Sequence, residues 1–124
     1  MATVDDVHRI VASLPETSTN TNPSGQEFAQ VRNKSICWTW LERPAPKKRR
    51  VPQPAVLAIR ITGEEEKAEL VAADPDKFFT EDHYNGYPAI LVRLDAIDVD
   101  ELTELITDAW RIQAPKRLVA EYDG

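Results

Sequence analysis

Four adjacent cations, Lys47-Lys48-Arg49-Arg50, are the sharpest chemical signal in this chain of 124 residues. Side chains of this kind on a loop can pair with phosphates, an interaction that weakens steeply with salt. Arg43 precedes the run, and Lys34 and Arg60 stand further out on either side. Residues 32–60 hold eight basic residues against one acid, Glu42, a local charge of +7 in a chain of net charge −6. The remainder therefore carries −13, and such a body does not resemble a general nucleic-acid coat. The plainer reading of the run is a solvated loop. Lys116 and Arg117 join the candidate set because they fall in the first turn of an expected helix, where cations oppose the dipole. A salt bridge to the acidic body would account for them.

A second constellation is His83 between Asp82 and Tyr84, with Tyr87 three residues on. His83 could carry a proton near neutral pH or bind a small ligand, and the tyrosines could line its pocket. The structural alternative is a hydrogen-bonded histidine beside a cross-strand aromatic pair. Trp38 and Trp40 form a stacking platform for bases if their face is open, and core if the first helix covers it; core is the reading taken here. Catalysis is not expected, because no nucleophile stands at a recognisable spacing from a base. The single cysteine, Cys37, rules out an internal disulfide and a cysteine-based zinc cluster, and reads as a small buried hydrophobe. His8 and His83 are too far apart for a local metal motif, and Asp74, Asp76, Glu81 and Asp82 lack calcium-loop spacing. No metal or cofactor is expected.

These residues need elements to hold them. Thr3 can cap a first helix, Asp5 and Asp6 suit its positive end, and Val4, Val7, Ile10, Val11 and Leu14 share one face. Pro15 ends it. Glu16 to Gln26 reads as a polar loop. Glu27 to Arg32 and Ser35 to Glu42 read as strands turning at Asn33-Lys34, with Ile36, Trp38 and Trp40 on one face. Arg43 to Pro54 contains four prolines and reads as a long, mobile, basic hairpin loop. Val56 to Ile61 is the third strand.

A second helix opens with a capping box, Thr62 to Glu65, and carries an apolar stripe of Ala68, Val71 and Ala72. Phe78 to Tyr84 can form a strand, and Asn85-Gly86 signals a type I′ hairpin. Pro88 lies at a sheet edge or bulge, and Ile90 to Leu94 is buried. Asp98 to Glu101 forms another capping box, opening a helix with Val99, Leu102, Leu105, Ile106, Ala109 and Trp110 inward. Pro115 starts a final helix that Leu118, Val119 and Tyr122 pack down.

The sum is an α+β chain of about five antiparallel strands in the order α-β3-α-β2-α-α, expected to be one domain over residues 1–124. Acids in residues 1–10 stand where a signal peptide needs a basic region. No stretch approaches the roughly 18 apolar residues of a membrane span. A cytoplasmic protein without a membrane partner, a monomer or weak homodimer, is expected.

Several of these segments resemble the MmcQ/YjbR-like family of small bacterial proteins. The resemblance is densest in Asp82-His83-Tyr84-Asn85-Gly86-Tyr87-Pro88 and the strand Ala89 to Leu94. It continues through Asp98, Glu101 and Leu102 to Asp108-Ala109-Trp110 and Ala114-Pro115-Lys116-Arg117-Leu118. Leu14-Pro15-Glu16, Lys34-Ser35 and the stretch Leu70 to Phe79 look like its opening and middle. The chain departs from the pattern in the basic Pro-rich segment 43–54 and in Pro23-Ser24-Gly25, where the family has a Gly-rich segment. Membership implies a sheet packed against helices, like secretion-chaperone-like and double-wing folds, and a DNA-binding label resting on fold analogy. The resulting expectation is DNA binding through Lys34, Arg43, Lys47, Lys48, Arg49, Arg50, Arg60, Lys116 and Arg117. The alternative is a protein- or small-ligand-binding module, with His83, Tyr84 and Tyr87 as its pocket.

Overall fold

The computed structural model of the protein describes residues 1–124. Helix α1 (Val4–Ala12) starts as its sequence predicts: Thr3 accepts from the Asp6 backbone N–H, and the Asp6 carboxylate accepts from Thr3 in return. This reciprocal cap satisfies donors that a helix start otherwise leaves orphaned. Val7, Ile10 and Val11 are the buried face. Six strands follow in one antiparallel sheet: β1 (Thr17–Thr21), β2 (Glu27–Val31), β3 (Lys34–Glu42), β4 (Val51–Arg60), β5 (Phe78–Phe79) and β6 (Ala89–Arg93). Their spatial order is β1-β2-β3-β4-β6-β5. Helices α2 (Glu64–Ala73), α3 (Val99–Gln113) and α4 (Lys116–Asp123) complete an α+β fold. No helix is long and apolar enough to cross a membrane.

The sheet has one strand more than expected. Residues 16–26 are not simply a loop: Thr17–Thr21 pairs with β2 along its whole length. Its residues are polar and mostly exposed, so hydrophobic alternation is silent there, yet threonine is β-branched and suits an extended backbone. The β1–β2 turn is built by Asn22, whose side chain accepts from the Gln26 backbone N–H, and by Gly25 at φ 90°.

The positive-φ hairpin also lies elsewhere than expected. Arg32 and Asn33 both have positive φ between the paired residues Val31 and Lys34, the mark of a type I′ turn. Asn85, at φ −62° and ψ 127°, precedes Gly86 at φ 78°, which is a type II turn. Tyr84 lies in a 3-10 turn (Asp82–Tyr84), and only Phe78–Phe79 of the expected 78–84 strand pairs with β6.

Two register breaks shape the sheet. Opposite Ala29 and Gln30, β3 presents Cys37 and Ser35, so Ile36 is an extra residue. A bulge of this kind shifts the alternation, and Ile36 joins Cys37 in the main core instead of sharing a face with Trp38 and Trp40. The second break sets Thr39 opposite Leu57 but Trp40 opposite Gln53, leaving Pro54, Ala55 and Val56 as extra residues on β4. The expected 43–54 loop is therefore shorter, because Val51 to Gln53 pair with Glu42 to Trp40. Proline is tolerated here: within β4 only Val56–Arg60 pairs with β6, so Pro52 sits on a stretch with one open side and Pro54 sits in the bulge.

The main core lies between the sheet and the helices, with Cys37, Leu57, Ile59, Ile90 and Val92 facing Val11, Leu102, Ile106 and Trp110. The opposite face carries a smaller cluster of Trp40, Ala58, Tyr84, Ala89 and Leu91, with Trp38 and Phe79 against it. Helix α2 departs from its predicted pattern. Gly63 occupies the cap position, and the Glu66 carboxylate accepts from both the N–H and the hydroxyl of Thr62. Ala68 and Ala72 are exposed and Val71 is half-buried, while Lys67 is the buried residue of this helix. At α3, Asp98 caps the Glu101 N–H, but the Glu101 carboxylate is drawn to Lys77 rather than back to the cap.

Candidate functional site

The β3–β4 hairpin projects residues 43–50 beyond the last paired residues, Glu42 and Val51. The loop has a defined path: the Arg43 guanidinium donates to the Lys48 carbonyl (2.9 Å), the Lys48 N–H donates to the Ala45 carbonyl (3.1 Å), and Lys47 takes φ 67°. At its base, Arg50 donates to the Leu41 carbonyl (2.8 Å) and pairs with Glu81 (2.9 Å). Arg50 is thus committed to holding the hairpin against the segment that follows β5. Lys47, Lys48 and Arg49 are exposed and make no ion pair.

The other expected basic residues are not gathered there. Lys34 opens β3 and Arg60 closes β4, so both lie at the opposite end of the hairpin from residues 43–50. Eight steps along β3 at strand rise separate Lys34 from Glu42 by roughly 26 Å. Arg60 donates its Nε–H to the Ile61 carbonyl. Lys116 and Arg117 belong to this far end as well, since Gln113 donates to the Ser35 carbonyl (2.9 Å) and Arg117 borders a surface recess with Arg32 and Glu16. Arg117 has Glu121 at 4.0 Å one helical turn on, and Arg32 is held by Glu16. The nine basic candidates therefore fall into two groups, split by the antiparallel run of the hairpin.

His83, Tyr84 and Tyr87 are brought together as a packed aromatic cluster. Trp38 donates its indole N–H to the Tyr84 hydroxyl (3.0 Å). Tyr87 packs edge-on to both Trp38 and Tyr84, at centroid distances of 6.1 and 6.0 Å. Burial pushes the Tyr84 phenol pKa up, against the smaller opposing effect of the Trp38 hydrogen bond. Tyr87 is 47% exposed and is the accessible edge of the cluster. His83 is exposed, tilted against Tyr84 at 5.7 Å. Trp38 and Trp40 are covered on this face by Phe79 and the 81–87 segment, not by α1. Arg93 stacks on the outer ring, 4.1 Å from the Phe79 centroid.

The 84–87 turn hangs on a residue the sequence reading passed over. Lys67 is 5% exposed, and its ammonium donates to the carbonyls of Tyr84 and Tyr87 (both 2.7 Å) while pairing with Glu64 (2.7 Å). That set occupies all three ammonium protons, the condition for burying such a group. A signal was present: Lys67 stands three and four residues before Leu70 and Val71, on the inward side of α2.

Cys37 sits at the floor of the main core, and burial pushes its thiol up to about 12. The thiolate is the reactive form. A disulfide reagent is therefore expected to modify Cys37 slowly in the native protein and much faster once urea unfolds it. Stoichiometric labelling of the folded protein within minutes would contradict this placement.

Comparison with known proteins places these features in a family context. The family model described as YjbR matches residues 12–112. The chain is similar to the uncharacterized protein Mb2600 of Mycobacterium bovis, with 40% identity over 131 residues covering 98% of this chain and 96% of that protein. The uncharacterized protein Rv2570 of Mycobacterium tuberculosis matches with the same identity and coverage. Among solved structures, Deinococcus radiodurans protein DR2400, with its DUF419 domain, aligns with a TM-score of 0.66 at 22% identity. That alignment covers 89% of this chain and 77% of the other, and it concerns the fold alone.

Proposed function

This chain belongs to the YjbR family, and from that premise we propose that it is a non-catalytic binding protein whose β3–β4 hairpin tip engages the phosphate backbone of DNA. The observation that carries this reading is the division of labour in residues 43–50. Arg50 is tied to the Leu41 carbonyl and to Glu81, and Arg43 gives an N–H to the Lys48 carbonyl, while Lys47, Lys48 and Arg49 remain exposed without an internal side-chain partner. Three cations presented on a braced two-stranded arm can follow a phosphate track as a wing does. The far-end residues Lys34, Arg60, Lys116 and Arg117 lie outside this contact.

The acidic remainder of the molecule, −13 outside residues 32–60, repels DNA and confines contact to the arm. Binding should therefore be weak, insensitive to sequence and strongly dependent on salt. With three phosphates neutralised, the log–log salt slope is expected near −2.7, about a 40-fold loss of affinity between about 50 and 200 mM salt. Fluorescence anisotropy of a short labelled duplex measures this. The triple variant Lys47→Ser, Lys48→Ser, Arg49→Ser should lose the binding and flatten the slope. No binding by the wild type at low salt, or an unchanged slope in the variant, would refute the assignment.

A further inference from the structure

Between α1 and the sheet, well away from the hairpin tip, a cavity of about 230 Å³ opens to solvent. Val7, Val11, Ala29, Cys37 and Leu57 make its buried floor. The second register break helps to shape it, since Pro54 and Val56, two of the extra residues on β4, line one wall. Beside that break, the Thr39 carbonyl already has one donor, the Gln26 side-chain amide (2.8 Å). The thiol of Cys37 stays protonated, with its pKa pushed up to about 12. Trp40 carries the one buried side-chain N or O atom without a partner, and it does not line this space. Water against this floor would find few hydrogen-bonding groups, so the floor favours an apolar occupant.

The rim is different in kind. His8 from α1 and Glu27 from β2 face each other, with His8 Nε2 at 3.1 and 3.2 Å from the two carboxylate oxygens. Both side chains are partly exposed, at 44% and 37%. The hydroxyl-bearing Thr19 and Thr21 of β1 complete the rim. No lysine or arginine lines the cavity. A carboxylate accepting one imidazole N–H keeps further lone pairs for another donor, in a chain whose net charge is −6. The rim thus favours a cation and the floor favours hydrocarbon.

We propose that this cavity binds a small primary amine with an aromatic or branched aliphatic body, its hydrocarbon on the Val7–Leu57 floor and its ammonium on Glu27. The size is apt: a closed aliphatic cavity of about 150 Å³ accepts a benzene ring, so this one accommodates a ring with a short arm. The site includes none of the cations at the hairpin tip, so its test and the DNA titration can fail separately.

The probe is phenethylamine, titrated into methyl-labelled full-length protein and followed by NMR. Shifts should be confined to Val7, Val11, Leu57 and their neighbours. 3-Phenylpropionate, with a similar ring and arm but the opposite charge, should bind at least about tenfold more weakly, the size of one charge-assisted hydrogen bond. Glu27→Gln should weaken phenethylamine by a similar factor. Equal binding of the two probes, absence of shifts at these methyls, or indifference of a folded Glu27→Gln variant would each overturn the proposal. The comparison of the two probes needs only the wild-type protein, so the proposal can be refuted even if the variant does not fold.

Discussion

Replacing Trp110 with alanine is expected to destabilise the protein by about 3–5 kcal/mol, the range for truncating a buried large aromatic. Trp110 is fully buried in α3, in the main core under the sheet. Its indole N–H donates to the Pro15 carbonyl (3.0 Å), joining α3 to the chain that leaves α1. The Tyr122 ring of α4 lies 5.0 Å from it, and the Arg111 guanidinium lies over that tyrosine ring at 5.7 Å. One truncation would therefore empty the largest fully buried side chain, strip a carbonyl of its donor and loosen α4. Domains of this kind are stable by about 5–15 kcal/mol, so the loss is a large share of the total. Trp110→Phe refills most of the volume and should cost less than half as much. Urea unfolding followed by circular dichroism measures both, and a loss below about 1 kcal/mol for the alanine variant would contradict this view of the core.

Lys67→Met should be the next most damaging of the changes considered, at about 3 kcal/mol, because it keeps most of the length of the side chain and removes every donor. Each hydrogen bond from a charged donor contributes about 1.5–3 kcal/mol, and two are lost. The carbonyls of Tyr84 and Tyr87 each keep one backbone partner, the N–H groups of Tyr87 and Ala89 respectively. They are left short of donors rather than bare. Glu64, whose side chain is 57% exposed, is simply rehydrated. The damage should be local as well as global: amide exchange should rise over residues 82–88, the segment that covers Trp38 and Trp40. Ala68, next in sequence but exposed, is the control, and Ala68→Gln should stay within about 0.5 kcal/mol of wild type. If Lys67→Met were equally silent, the clamp would carry no stability.

Both residues show how far local rules reach. Trp110 lies in a 3.6-residue apolar pattern with Leu102, Ile106 and Ala109, and α3 buries these four. Lys67 shares the inward side of α2 with Leu70 and Val71, but a lysine there reads as solvated unless its carbonyl partners are known, and those come from 17 and 20 residues away. The caps divide the same way. Thr3 with Asp6 closes as its spacing predicts, because both partners lie in one turn. Glu101 leaves its expected box because Lys77, from another part of the chain, offers an ion pair, and this holds the Lys77 ammonium pKa up.

The candidate site was legible in type and not in place. The basic run and the aromatic cluster could be named from residue identity alone. Hairpin geometry then separated Lys34, Arg60, Lys116 and Arg117 from Lys47, Lys48 and Arg49, and Glu81 withdrew Arg50 from the free set. His8 and Glu27, 19 residues apart on a helix and a strand, had no shared local pattern to mark them as neighbours.

By itself, then, the amino-acid sequence determined what depends on near neighbours along the chain: the helices α1 and α3, the buried runs of β3, β4 and β6, the α+β class and the family likeness. Tertiary structure alone decided the quantities set by partners distant in sequence. These are the polar edge strand β1, the two register breaks that moved Ile36 and opened the cavity, the burial of Lys67 and the division of the basic residues. The physical reason is the range of the forces involved. Periodicity and capping act within a turn or two, whereas strand pairing, bulges and the matching of buried donors to carbonyls are settled only once remote segments meet.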